Sequence, residues 1–260
     1  MKATFDYSGA KVFVFGGTSG INLGVAECFA KAGATVAVAS RSQEKVDAAV
    51  DLLSAFGPAF GFAVDVRDSQ AVADALADFH RASGEIDVLI SGAAGNFPVT
   101  AVSMSPNGFK AVVDIDLMGT FHVLRAGYQY LRKPGASVIN ISAPQSSIAM
   151  AMQSHVCAAK AGVDMLTKSL AIEWGPAGVR VNAIVPGPIE GTEGMARLAP
   201  TEESAAAVRN SVPLRRYGAA EEIGAACMYL SSEAASYVSG AIFPVDGGWL
   251  AAGVPVSLGG

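Results

Sequence analysis

Phe15-Gly16-Gly17-Thr18-Ser19-Gly20-Ile21-Asn22-Leu23-Gly24 follows the apolar run from Lys11 to Phe15 and leads straight into a helical pattern. The order is that of a strand, a tight glycine turn and a helix N-terminus. Gly16 and Gly17 open backbone angles closed to other residues, Gly20 lets a ligand approach the backbone, and the free N–H groups of the new helix face that ligand. Such a turn suits a pyrophosphate. A glycine cluster alone could be no more than a tight connection between strand and helix, so its surroundings decide. Here a second apolar run, Thr35 to Ala39, completes a β-α-β pattern.

Outward from that turn the chain keeps alternating. Ile21 to Ala32 has an apolar face at helical spacing and stops at Gly33. Gln43 to Ser54 reads as a helix, Ala59 to Val64 as a third strand ending at Asp65-Val66, and Ser69 to Ala82 as a helix. Ile86 to Ile90 is a fourth strand, and the small residues Ser91-Gly92-Ala93-Ala94-Gly95-Asn96 after it let the backbone come close to a ligand. Ser105-Pro106 predicts the start of a helix that runs to about Leu131, and Gln153 to Trp174 and Glu221 to Ser231 predict two more. Ala136 to Ile141, Val179 to Val185 and Ala241 to Val245 complete the strands. This spacing predicts an α/β fold: a doubly wound, parallel seven-stranded sheet with helices on both faces and ligands at the carboxyl ends of its strands. One domain is expected over residues 1–260. Pro186-Gly187-Pro188-Ile189 opens a long connection, and Gly191, Gly194 and the stretch Glu202 to Asn210 predict a lid with its own helix at about 187–215. The last residues are apolar and unpatterned.

Composition narrows the partners. Eighteen basic and 23 acidic residues leave a net charge of -5 with no Lys/Arg-rich run, so no nucleic acid is expected. Neither a leader pattern near Met1 to Phe15 nor an apolar run long enough to span a membrane is seen, which predicts a cytoplasmic protein with a small-molecule substrate. Cys28, Cys157 and Cys227 have no metal-ligand spacing and read as reduced, mostly buried thiols; no metal is expected.

Two places bear on chemistry. An acid at the end of the second strand would accept a ribose 2′-OH, whereas Ser40-Arg41 accommodates a 2′-phosphate, which points to NADP(H); the alternative is a solvated arginine opening the next helix. Asp65 sits where an adenine amino group could be met. Asp114 and Asp116 lie in an otherwise apolar helical segment, two residues apart and so on different faces, and one of them at most need point at a site. Burial without a partner would raise such a carboxyl's pKa and make an acid useful near neutral pH; the alternative is an aspartate held by backbone donors.

The glycine turn, Asp65, the small-residue turn after the fourth strand, Lys160 and Pro186-Gly187 together resemble the short-chain dehydrogenase/reductase family over nearly the whole chain. The resemblance implies a Rossmann fold, a nicotinamide cofactor and a homotetramer packed through the two long, apolar helices. It implies that Gly16, Thr18, Ser19, Gly20 and Ile21 hold the phosphates, Ser40 and Arg41 the 2′-phosphate, and Asp65 and Val66 the adenine. Ser91, Gly92 and Ala93 would meet the ribose, Lys160 the nicotinamide ribose, and Pro186, Gly187 and Ile189 the carboxamide. The usual Asn-Ser-Tyr-Lys group is broken, because Asp116, Ala143 and Val156 stand at the first three positions and only Lys160 remains; Asn22 replaces the third glycine. Ala93-Ala94-Gly95-Asn96-Phe97, Asp114 to Phe121 and Pro186 to Gly194 are similar to the 2,4-dienoyl-CoA reductases, particularly the peroxisomal kind. That implies NADPH-dependent reduction of a conjugated C=C bond in an enoyl or 2,4-dienoyl thioester, with Asp116 as acid and Ser142 or Gln145 as neutral donors to the enolate. Two alternatives stand beside it: a ketone or alcohol oxidoreductase with an unusual donor such as His155, and a silent NADP-binding sensor.

Overall fold

The computed structural model describes residues 4–252, so the apolar end of the chain lies outside the described residues. β1 (Lys11–Phe15), β2 (Thr35–Ser40), β3 (Ala59–Ala63), β4 (Val88–Ser91), β5 (Ser137–Ile141), β6 (Arg180–Pro186) and β7 (Ile242–Val245) form one parallel sheet. Their order is β3-β2-β1-β4-β5-β6-β7, the doubly wound arrangement expected from the alternation. The chain winds outward from β1 to β3 and then returns to β4 on the other side of β1. A crevice opens where the direction reverses, beyond the carboxyl ends of β1 and β4.

The central strands are apolar runs because both faces are covered. In β1, Val12 and Val14 enter the core beneath α1 (Gly20–Lys31), α2 (Gln43–Ser54) and α9 (Ala220–Ser231). Phe13 and Phe15 enter the other core, stacked 4.5 Å apart, with the Phe79 ring edge-on to Phe13. That second core is closed by α3 (Ser69–Ser83), α5 (Gly119–Gly127) and α6 (Ser154–Trp174). Small residues let α1 and α9 approach closely, since a Cβ on Gly24 would lie 2.4 Å from the Ala220 Cβ and one on Gly224 would lie 2.4 Å from Cys28 Sγ. Burial at this contact pushes the Cys28 thiol up to about 11; of the three cysteines expected to be mostly buried, Cys227 is buried and Cys28 and Cys157 are half-buried.

One expected element differs. The helix beginning at Pro106 does not run unbroken to Leu131: α4 (Pro106–Val113) passes into a π-helical turn over Asp114–Met118, α5 follows, and a 3-10 turn over Tyr128–Tyr130 ends it. The wide turn is held by the Thr120 hydroxyl, which donates to Asp116 O at 2.7 Å, and by Gly119, whose Cβ would strike Val66 at 2.6 Å. As a result Asp116 is buried, while Asp114 faces outward to pair with Lys110. The lid region contains α7 (Glu193–Leu198) and α8 (Glu202–Ser211), the latter opened by a capping box between Thr201 and Ser204. Among the described residues no helix is long and apolar enough to cross a membrane.

The α1–α9 contact yields a direct test. Gly24→Val should destabilise the protein by about 1–3 kcal/mol through overpacking, read as a lower thermal midpoint. Adding Ala220→Gly should recover part of that loss.

Candidate active site

The glycine turn meets the turn after β4 at the reversal point. Gly16 has φ +78°, and a Cβ on it would lie 2.8 Å from the Ala93 nitrogen, so no other residue fits there. Asn22, in the place of the usual third glycine, donates from Nδ2 to Gly92 O at 2.8 Å and fills the gap that a Cβ on Gly92 would need. The two walls of the crevice are thereby joined through one amide.

The adenosine half of the crevice holds about 350 Å³ and is lined by Gly16, Thr18, Ser19, Gly92 and Ala93 from the two turns, with Ser40, Arg41, Asp65 and Val66 beyond them. The Ser40 hydroxyl oxygen is buried without a partner in a wall that also carries Arg41 and Lys45. A hydroxyl beside two cations is the donor set a phosphate monoester needs, and the crowded glycines are what a close-lying pyrophosphate needs, so the residues present fit a phosphorylated dinucleotide. Lys45 pairs across the crevice mouth with Glu193 of α7 at 3.6 Å. Asp65 is gripped by Arg67, which donates from Nη2 at 2.5 Å and from Nε at 3.0 Å, and that bond holds its carboxyl below the usual range.

The second half, about 320 Å³, is lined by Gly20, Ile21, Asp116, Ser142, Gln145, Lys160, Pro186 and Gly187, with Ala143 and Val156 where the family carries hydroxyls. Lys160 Nζ donates to Ile141 O at 2.9 Å and lies 3.6 Å from Asp116 Oδ2. The other oxygen, Oδ1, accepts the Gly95 amide at 2.7 Å. Asp116 is 1% exposed, and burial pushes its pKa above the ordinary carboxylate value despite Lys160 and the Gly95 amide.

Five expected residues are placed differently from the expectation. Ser142 donates its hydroxyl to Asp164 Oδ1 at 2.5 Å, so its hydrogen is not offered to the pocket. Gln145 donates one of its two Nε2 hydrogens to Gln153 Oε1 at 2.7 Å, and its buried carbonyl oxygen has no partner. An enolate needs donors; Ser142 presents only lone pairs, while Gln145 keeps one N–H. Ser91 is buried and bonded to Thr120 at 3.2 Å, and Ile189 is buried in the core, so neither side chain lines the crevice. His155 is also outside it, wholly buried against Phe97.

Asp164, Gln153, Lys45 and Arg67 were not singled out by sequence. Asp164 falls one helical turn beyond Lys160, and that spacing was the available sign for it. Arg67 follows Asp65 by two residues and Lys45 follows Arg41 by one helical turn, so their sign too was proximity in sequence, whereas Gln153 carries no local mark. Among the described residues no group of three or more His, Cys, Asp or Glu could hold a metal.

The profile of the family described as "Enoyl-(Acyl carrier protein) reductase" matches residues 16–250. The chain is 42% identical over 242 residues to a peroxisomal 2,4-dienoyl-CoA reductase [(3E)-enoyl-CoA-producing] of Danio rerio, covering 92% of this chain and 81% of the relative. It is similar to a solved short chain dehydrogenase from Bacillus anthracis, with 37% identity, 93% and 96% of the two chains covered and a TM-score of 0.84. A crystal structure from Agrobacterium tumefaciens with bound NADP is 34% identical, over 96% of this chain and 100% of that one, with a TM-score of 0.86. Sheet order, glycine turn and placed lysine agree with these likenesses: the chain belongs to the short-chain dehydrogenase/reductase family, whose members are oxidoreductases that bind a nicotinamide cofactor.

Proposed function

We propose that the protein is an NADPH-dependent reductase of a conjugated C=C bond in an enoyl or 2,4-dienoyl thioester, with CoA as the thiol. The observation that carries this reading is the pocket's proton inventory. Ala143 and Val156 replace the hydroxyl pair, the Ser142 hydroxyl turns to Asp164, and the ionisable groups that remain are the Lys160 ammonium and a buried Asp116.

The bound cofactor supplies hydride. A ketone would then become an alkoxide, a strong base that needs a hydroxyl acid held beside it. A conjugated thioester becomes an enolate instead, with its charge spread onto the thioester oxygen. Lys160 uses one N–H on Ile141 O and has others for that oxygen. Asp116, raised by burial, keeps its proton further toward neutral pH than an exposed aspartate and delivers it to carbon. A 3-enoyl product, as in the Danio rerio relative's name, has its new hydrogens at C2 and C5. C2 adjoins the carbonyl, so one oxygen held by Lys160 would bring the protonated carbon to the Lys160–Asp116 pair.

NADP(H) over NAD(H) is supported by Ser40, Arg41 and Lys45 around one side of the adenosine half and by the NADP-bound neighbour. A symmetric homotetramer is supported by apolar side chains left outward on α5 and α6 and the turn before them, among them Phe121, Met165 (61% exposed) and Ile172 (79%). Composition supports a cytoplasmic location.

NADPH oxidation should be rapid with 2-enoyl or 2,4-dienoyl thioesters and negligible with simple ketones; efficient ketone reduction would overturn the reading. Asp116→Asn should lower kcat by roughly 10²-fold with NADPH affinity kept. The wild type should lose activity as pH rises through the Asp116 pKa, because the acid form is the working one, and the variant should lack that limb. Calorimetry with Arg41→Ala should show NADP+ weakened about 10- to 100-fold, matching one charge-assisted bond, and NAD+ little changed. Light scattering should give a tetramer that Met165→Glu with Ile172→Glu dissociates.

A further inference from the structure

Three successive residues of the turn after β4 are held by three different partners. The Gly95 amide donates to Asp116 Oδ1 at 2.7 Å, Asn96 Nδ2 donates to Gln153 Oε1 at 3.3 Å, and the Phe97 ring lies 4.7 Å from the His155 ring at an interplanar angle of 53°. The turn is thus clasped between the π-helical turn on one side and the first turn of α6 on the other. His155 is wholly buried, yet neither ring nitrogen has a hydrogen-bond partner. What its ring contributes here is contact, and Phe97 is the ring it contacts.

The clasp bears on Asp116 because a carboxylate has two equivalent oxygens. An amide on Oδ1 makes them different: it fixes the plane of the group and leaves Oδ2 facing Lys160 at 3.6 Å. The turn is tied at its start, where the Gly92 amide donates to Phe15 O and its carbonyl accepts from Asn22, and at its end, where the Val99 amide donates to Met152 O; between them Gly95 gives the backbone freedom and Phe97 is 39% exposed. We propose that His155 is a positioning residue whose ring braces Phe97, and through Phe97 the turn 95–97, so that the Gly95 amide stays on one oxygen of Asp116 and the other is left for the transferred proton. The proposal rests on the reading of Asp116 as the acid. The charged groups near the ring are Asp116 on the π-helical turn and Lys160 on its own helix; the packed segments 95–97 and 144–146 bring none.

The imidazole and the ring contact can be separated. His155→Phe keeps an aromatic face and removes two unpartnered nitrogens, whereas His155→Ala removes the brace. The first measurement needs no substrate: infrared pH titration of the Asp116 carboxylic C=O band in the free protein, assigned by its loss in Asp116→Asn. Loss of the Gly95 amide withdraws a bond that favours the carboxylate, so in His155→Ala the acid band should persist to higher pH than in the wild type. The second is the pH profile of thioester reduction, where His155→Ala should lower kcat roughly 10-fold at unchanged KM and move the alkaline limb upward. His155→Phe should match the wild type in both measurements and melt higher. Phe97→Leu, at a half-exposed site that the fold tolerates, should reproduce the shifted band, and combining it with His155→Ala should shift the band no further. A wild-type titration in both His155→Ala and Phe97→Leu would overturn the proposal. So would a His155→Phe variant as impaired as His155→Ala, which would give the role to the imidazole nitrogens. If the wild type reduces no thioester, the functional reading fails and the infrared titration still decides the brace.

Discussion

The crevice depends on how closely two backbone turns can pass at the point where the sheet reverses direction. With a Cβ on Gly16 placed 2.8 Å from the Ala93 nitrogen, the turn after β1 has no room for a side chain. The N-terminus of α1 is therefore held against the turn after β4, and the amides that face a pyrophosphate stay at a fixed height above the sheet. Asn22 tightens the same junction. Its amide spans to Gly92 O, so the residue that departs from the usual glycine does so by becoming part of the wall.

A buried acid follows from the same economy of space. The π-helical turn between α4 and α5 widens one turn of the helix around Gly119, which must clear Val66 at the end of the adenosine wall. Asp116 is carried inward beside Lys160 and beneath the Gly95 amide. Burial acts first on its proton affinity and the neighbouring charge opposes it. In a pocket where Ala143 and Val156 supply no hydroxyl, a carboxyl that holds a proton is worth more than one that has lost it.

At the far end of the crevice the electrostatics are softer. Lys45 and Glu193 are both largely exposed, and a pair of that kind contributes about 0–1 kcal/mol. It brings the first turn of α7 toward Lys45 without fixing it there. The Lys160–Asp116 pair, by contrast, is almost wholly buried.

Strand and helix order, the glycine turn, the cationic end of β2 and the absence of the hydroxyl pair were all legible in the chain, because each is a local pattern of period, residue size or residue type. Gln43 to Ser54 is a helix with the expected bounds, and the other strands and helices shift by one or two residues at most, apart from the segment after Pro106. Partnership across the fold was not legible. Ser142 looks like a free hydroxyl until Asp164, 22 residues on, takes its hydrogen, and Gln145 looks unattached until Gln153 takes one of its two N–H groups. An unbroken apolar period from Pro106 gives no sign of the π-helical turn, which arises from the contact of Gly119 with Val66, a residue 53 positions earlier. Sequence by itself determined which chemical groups are available and on which element each one sits. Tertiary structure decided which hydrogens and lone pairs are left over for a ligand, because a polar group's free valence is set by whatever the rest of the chain packs beside it.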